Sequence, residues 1–262
     1  MLQRTVRHRR VEGTCHLCGR QAELTFEHVP PRAAFNTGRV RSYDYHEWHK
    51  MREGEPHRVK LRQGGAGGYT LCAACNNNTG GWYGSAFVEW CYQGVIILRQ
   101  LAGDPGLTYP FHIFPLRVLK QVVTMFFSVN GPRFGAANSA LRDFVLSPES
   151  KGLPDCYGVL VHFSKDTRSR QSGVSAMLRL GSGTFVLSEI VFPPFGYLLT
   201  IGSQSPDRRL VDVSFFRRFG LNEHVDLHLP LHVLPVTTIF PADYRTEAEV
   251  EREARSPGAD QG

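Results

Sequence analysis

Two cysteine pairs of identical spacing are the residues of this chain whose chemistry is easiest to assign. Cys15 and Cys18 are separated by two residues, and so are Cys72 and Cys75. Thiolates at this spacing can share one tetrahedral metal ion, and Gly19 permits the tight turn that follows the first pair. Because four thiolates leave no open coordination position, we expect a structural zinc ion. The 53 residues between the pairs exceed the spacing of small zinc ribbons and predict a large insertion.

An acidic residue and a histidine stand together between the cysteine pairs. Glu27 and His28 are followed by Val-Pro-Pro, and Asn76 directly follows the last cysteine. The ordered set of four cysteines, Glu27-His28 and Asn76 resembles the HNH nuclease superfamily. The layout is most similar to phage resolvases of the endonuclease VII type and to bacterial HNH proteins with an E-H-x-x-P motif and a C-x-x-C-N ending. The resemblance covers about residues 13–82.

The resemblance implies a fold, an activity and a role for each matching residue. The implied fold is a treble-clef-like ββα-metal module on a zinc-bound knuckle and helix. The implied activity is metal-dependent hydrolysis of phosphodiester bonds in DNA, in a bacterial or phage-defence setting. His28 would be the general base, since imidazole titrates near neutrality. Glu27 and Asn76 would be oxygen ligands of a second, catalytic ion, Mg²⁺ or Mn²⁺.

Three departures from the family pattern leave alternatives open. Where HNH sequences carry an asparagine before the third cysteine, this chain has Gly67, Gly68 and Tyr69. Glutamate replaces the usual aspartate at position 27, and Asn76 replaces the last histidine. One alternative is a catalytically retired zinc module that binds nucleic acid or a protein partner. Another is a partner-binding protein whose functional part lies after residue 82.

Positive charge is concentrated around the motif and favours a polyanionic partner. Residues 1–62 hold 13 Lys and Arg against 7 Asp and Glu, whereas the remainder holds 17 of each. Cations that neutralise phosphates release counterions, which favours binding to DNA. Within the insertion, residues 32–66, basic residues interleave with aromatic ones, although a solvated loop is the alternative. The candidate DNA contacts are Arg32, Arg39, Arg41, Lys50, Arg58 and Lys60.

The remaining sequence predicts the elements that position this motif. Residues 1–12 form a basic arm, 13–82 the zinc module, 83–245 a second α+β domain and 246–262 a flexible tail. Apolar periodicity predicts helices over 84–101, 115–129 and 137–146. Short apolar runs between turn residues predict a mainly antiparallel sheet. Those strands are expected over 157–163, 173–180, 184–192, 196–201, 210–216 and 225–233. The predicted fold class is therefore α+β.

Composition excludes several classes of protein. No stretch approaches the roughly 18–20 apolar residues that span a bilayer. The basic N-terminus lacks the apolar segment of a secretory signal. We therefore expect a cytoplasmic protein with no membrane partner. A homodimer, or a protein partner bound through the second domain, is compatible with the sequence.

Overall fold

The computed structural model describes residues 10–42, 60–101, 107–179 and 183–255. These ranges contain helices and antiparallel strands, so the predicted α+β class is confirmed. The strands are β1 (Val11–Thr14), β2 (Gln21–His28), β3 (Val40–Ser42), β4 (Lys60–Arg62), β5 (Gly67–Cys72), β6 (Tyr109–Ile113), β7 (Tyr157–Phe163), β8 (Arg170–Arg179), β9 (Gly183–Phe192), β10 (Phe195–Ile201), β11 (Val211–Asp212) and β12 (Val225–Leu229). The helices are α1 (Ala73–Thr79), α2 (Ser85–Leu101), α3 (Pro115–Asn130), α4 (Pro132–Ala137), α5 (Ser139–Leu146) and α6 (Glu247–Arg255).

A small sheet followed by a helix carries the whole motif. Its strand order is β1-β2-β5, with β2 antiparallel to both neighbours. The tight connection between β1 and β2 holds the first cysteine pair, and α1 follows β5 without an intervening loop. β3 and β4 form a separate hairpin between β2 and β5. Two cysteine pairs that are distant in sequence are thereby brought to the same end of the sheet.

A helical rod extends from the motif into the second half of the chain. α1 passes through a π-helical turn, Gly80–Gly84, directly into α2. Gly80 has φ −61° and ψ −42°, so the backbone stays helical where α1 ends at Thr79. Burial of Tyr83, whose hydroxyl donates to the Val145 carbonyl at 2.7 Å, favours continuation. The domain boundary predicted after residue 82 thus lies inside a continuous rod.

The second half is built on a five-stranded antiparallel sheet with α3 packed against it. The strand order is β11-β7-β10-β9-β8, and α3 contacts β8, β9 and β10. α3 begins with Pro115 in its first turn, where a missing amide costs nothing. It ends at Gly131, whose φ of +82° suits glycine. These bounds agree with the helix and the antiparallel sheet that the sequence predicts.

Three elements near the end of the chain differ from the prediction. The strand expected over 225–233 is only Val225–Leu229, and it pairs with β6 in a separate two-stranded sheet. The strand expected over 210–216 is only Val211–Asp212, followed by a 3₁₀ turn, Ser214–Arg218. The Asp212 carboxylate accepts the Ser214 amide at 2.7 Å and so ends the extended backbone. The segment expected to be a flexible tail contains α6. Thr246 and Glu249 form a reciprocal capping box at its start, which stabilises the first turn.

The motif and the second half share one hydrophobic core. Cys15 and Leu17 of the knuckle are fully buried in the same cluster as Phe127 and Phe134. The backbone also fits closely there, since a Cβ on Gly135 would lie 2.5 Å from the His16 carbonyl oxygen. α3 and α4 therefore form the surface on which the knuckle rests. Among the described residues, no helix is long and apolar enough to cross a membrane.

Candidate metal centre and adjoining cleft

The four motif cysteines converge into one cluster. Cys15 and Cys18 lie in the turn after β1, Cys72 ends β5 and Cys75 is in the first turn of α1. Their sulfur atoms all lie within 4.8 Å of one another, and the Cys18 and Cys72 sulfurs are 3.9 Å apart. A tetrahedral ion with zinc–sulfur bonds of about 2.3 Å needs sulfurs about 3.8 Å apart. The cluster therefore has the geometry to hold one metal ion such as zinc.

Hydrogen bonds around the cluster favour thiolate sulfur. The Cys72 backbone amide donates to the Cys15 sulfur at 3.3 Å, and the Arg20 guanidinium donates to the Cys18 sulfur at 3.5 Å. The hydrogen bond from the Cys75 side chain lowers the pKa of Cys15 to about 4. The same hydrogen bond raises the pKa of Cys75. A bound cation would remove this conflict, because it favours ionisation of every ligand thiol.

A cleft of about 590 Å³ lies against the cysteine cluster's helix. One wall is the end of β2 and the following loop, and the other is formed by α1, the π-helical turn and α2. Glu27, His28 and Asn76 all line it, so the fold brings together the three residues for which the sequence predicts chemistry. Glu89 of α2 and Gln121 of α3 complete the lining on the far side. The second half of the chain therefore contributes to this cleft.

His28 is held by one ring nitrogen. Its Nε2 lies 3.1 Å from the Gly64 carbonyl oxygen, and a carbonyl can only accept, so Nε2 carries the proton. The neutral ring then has Nδ1 as its basic atom. The Phe26 ring packs edge-to-face on the imidazole at a centroid distance of 4.9 Å. Two contacts thus fix both the tautomer and the ring plane.

Glu27 is a carboxyl group withdrawn from water at the cleft wall. Glu27 is 7% exposed, and burial raises the pKa of its carboxyl group to about 7. Among the described residues, no side chain or backbone amide donates a hydrogen bond to it. A buried carboxylate without donors is costly unless a cation accompanies it. The position is therefore suited to a cation ligand.

Asn76 presents its oxygen because its nitrogen is already used. The side-chain Nδ2 donates to the Thr25 hydroxyl oxygen at 2.9 Å. That hydroxyl donates its own hydrogen to the Leu71 carbonyl at 2.9 Å, so it can only accept from Asn76. The Asn76 Oδ1 atom has no partner among the described residues. A neutral oxygen ligand is therefore available in the cleft.

Asn36 and Gly67 shape the cleft, and the sequence did not single either out for this role. Asn36 is fully buried, and its Nδ2 donates to the carbonyls of Pro30 and Ala66 at 2.7 and 2.8 Å. Its Oδ1 accepts the Ala66 amide at 2.6 Å, so one side chain joins the ends of β2 and β5. Gly67 pairs with His28, and a Cβ there would lie 2.1 Å from the Glu27 carbonyl oxygen. Asn36 lies in an ordinary polar turn sequence that gives no signal of this contact.

The candidate basic residues divide into three groups. Arg32 lines the cleft. Arg39, Arg41 and Lys60 are exposed on or beside the β3–β4 hairpin, and none forms an ion pair within the described part of the chain. Lys50 and Arg58, with most of the basic arm, lie outside the described residues. Of the four candidates that the structure describes, one therefore lies at the cleft.

Gln121 lines the cleft, and the sequence did not predict a functional role for it. It is 2% exposed in the middle of α3, and its Oε1 is buried without a hydrogen-bond partner among the described residues. Its neighbours Val118, Val122 and Phe126 form an apolar helix face, so nothing in the pattern marks it.

Comparisons with known proteins add no relative. No protein-family model matches the chain, no curated protein is similar to it in sequence, and no solved structure matches its fold.

Proposed function

We propose that the chain is an HNH-type endonuclease that hydrolyses phosphodiester bonds of DNA, with His28 activating water. One observation carries the proposal: His28, Glu27 and Asn76 line a single cleft against a four-cysteine cluster. The strand–strand–helix order of β2, β5 and α1 supports the proposal, because a ββα-metal module would have that order. A structural zinc ion in the cluster and a catalytic Mg²⁺ or Mn²⁺ ion at Glu27 and Asn76 belong to the proposal.

His28 supplies the proton transfer in this reaction. With Nε2 donating to Gly64, the basic Nδ1 takes a proton from a water molecule as its oxygen attacks phosphorus. The bond from phosphorus to the 3′ oxygen breaks, and that oxygen takes a proton from solvent water and ends as a hydroxyl group, while His28 returns its proton to solvent. The products are a 5′-phosphate and a 3′-hydroxyl. The Gly64 carbonyl stabilises the imidazolium that forms, as the acceptor on the second ring nitrogen does in a catalytic triad.

The second ion would be held by hard oxygen ligands. Glu27 supplies a carboxylate oxygen and Asn76 its Oδ1, a donor set that suits Mg²⁺ or Mn²⁺ better than zinc. When bound, such an ion polarises the phosphodiester and stabilises charge on the leaving oxygen. Arg32 adds a positive charge at the cleft lining, where a phosphate would lie.

A plasmid-nicking assay tests the proposal. Purified protein is incubated with supercoiled plasmid and Mg²⁺ or Mn²⁺, and His28→Ala is compared with wild type. We expect His28→Ala to lower the nicking rate by about 100-fold or more, the contribution typical of general-base catalysis. His228→Ala, which removes an exposed histidine on β12, is the matched control and should nick like wild type.

The outcomes separate the alternatives. Nicking that survives His28→Ala would reject His28 as the base. Salt-sensitive DNA binding without cleavage under either ion would instead support the retired zinc module. Absence of DNA affinity at low salt would favour a partner-binding protein whose functional part is the second half.

A further inference from the structure

Three aromatic rings lie in contact on the sheet beside the cleft. Phe26 and Tyr69 are cross-strand partners in the β2–β5 pairing, and their ring centroids are 5.5 Å apart at 85°. Phe26 also packs against the imidazole of His28, two residues further along β2. Phe26 lines the cleft. Tyr69 is its direct neighbour on β5 and is not part of the cleft lining. The rings therefore extend outward from the candidate base.

Phe26 and Tyr69 are large rings left accessible to solvent. Phe26 is 36% exposed and Tyr69 is 44% exposed. An edge-to-face pair uses the edge of one ring and one face of the other, so each ring keeps at least one face clear of its partner. A rigid aromatic face accessible to water is the feature on which nucleic-acid bases stack.

Positive charge accompanies these rings. The Arg62 guanidinium donates to the carbonyl of Gly67, the residue that pairs with His28. This hydrogen bond fixes a cation at the strand that carries Tyr69. Arg32 supplies a second cation from the cleft lining. A DNA strand on these rings would therefore have two arginine side chains of the same module available for its phosphates.

We propose that Phe26 and Tyr69 form a stacking site for an unpaired DNA base next to the scissile phosphate. The substrate class is then DNA that contains unpaired bases, either single-stranded or locally open. This inference rests on the proposed nuclease function for the position of the phosphate. Bases inside an intact duplex already stack on both faces, so a protein ring reaches one only after it leaves the stack.

Binding measurements with matched DNA test the site without needing catalysis. The probes are a short labelled single strand and the fully paired duplex of the same sequence, with fluorescence anisotropy as the readout and no added divalent cation. We expect wild type to bind the single strand more tightly. Tyr69→Leu should weaken single-strand binding about 5-fold or more, the loss expected for one stacked base, with little change for the duplex.

Two further variants make the result specific. Tyr69→Phe keeps the ring and should bind like wild type. Tyr92→Leu removes a ring that is 51% exposed and also packs against another aromatic residue, Phe35, but it does not line the cleft. It should leave both affinities unchanged. Far-ultraviolet circular dichroism and metal content confirm that each variant is folded.

The outcomes distinguish this inference from the nuclease proposal. If Tyr69→Leu changes single-strand and duplex binding equally, or changes neither, the stacking site is rejected, even where His28-dependent cleavage is intact. If Tyr69-dependent single-strand binding occurs in a protein that cuts no DNA, the stacking site stands and the nuclease proposal fails. If wild type binds neither probe, the stacking site is rejected, and the nicking assay with Mg²⁺ or Mn²⁺ decides the nuclease proposal separately.

Discussion

Gly67→Ala is expected to disable the cleft through one misplaced methyl group. The added Cβ would lie 2.1 Å from the Glu27 carbonyl oxygen. Carbon–oxygen contacts are comfortable at about 3.3 Å. The strands β2 and β5 must therefore separate by about 1 Å at the point where Glu27 and His28 enter the cleft. A displacement of this size at reacting groups costs on the order of 100-fold in rate.

Gly68→Ala is a matched control one residue further along β5. Its added Cβ would have Thr70 Cγ2 as its nearest neighbour, at an ordinary contact distance of 3.6 Å. Both variants carry the same chemical change in the same strand, so intrinsic strand propensity cancels in the comparison. The two positions differ in the close approach to the Glu27 backbone and in the φ of +159° at Gly67, and both differences act against alanine at position 67.

The assay measures His28-dependent nicking rates and urea unfolding for both variants. We expect Gly67→Ala to nick about 100-fold more slowly than Gly68→Ala. Overpacking should also destabilise Gly67→Ala by about 1–3 kcal/mol. The reasoning is refuted if the two variants nick within a few-fold of each other while the protein is active. It is refuted independently of activity if their unfolding midpoints coincide.

Two other predictions concern the metal cluster and a buried histidine. Cys72→Ser should lower the bound zinc below one ion per chain and reduce the melting temperature. Cys156→Ser, at an exposed cysteine outside the cluster, should change neither quantity. Metal analysis and thermal unfolding measure both effects. Burial lowers the pKa of His162 to about 4. Because the unfolded state, with a pKa of about 6.5, binds the extra proton between these values, stability should fall by up to about 3 kcal/mol as the pH drops from 6.5 to 4. Urea unfolding against pH should show this loss in wild type and much less of it in His162→Asn; equal slopes would contradict the assignment.

Local patterns predicted the metal cluster because its information lies in short spacings. A C-x-x-C pair fixes two ligands within one turn, and two such pairs specify one tetrahedral site. Strand β7 was predicted at its observed bounds, Tyr157–Phe163, because its apolar run is bounded by turn residues. Such features need no knowledge of distant neighbours.

Features that depend on contacts between distant residues could not be predicted from the sequence. The predicted helix starts at residue 84, but the helical backbone already runs through Gly80 and Gly81, because burial of Tyr83 against the second half outweighs the low helix propensity of glycine. Asn36 gains its role from Ala66, 30 residues away. Gln121 reaches the cleft only because α3 packs behind it. Each of these facts is set by tertiary packing, which no window of sequence contains.

The shared core around the knuckle has a thermodynamic consequence. Cys15 and Leu17 are buried among side chains of the second half. The His16 Nδ1 atom also donates a hydrogen bond to the Ser128 carbonyl oxygen at 3.1 Å. Residues 13–82 are therefore not expected to fold on their own, because a fragment of these residues would lack the side chains that pack against the knuckle. Free energy gained when a metal binds the cysteines is transmitted to the unfolding equilibrium of the whole cooperative unit. The ion would act as a ligand of the entire fold.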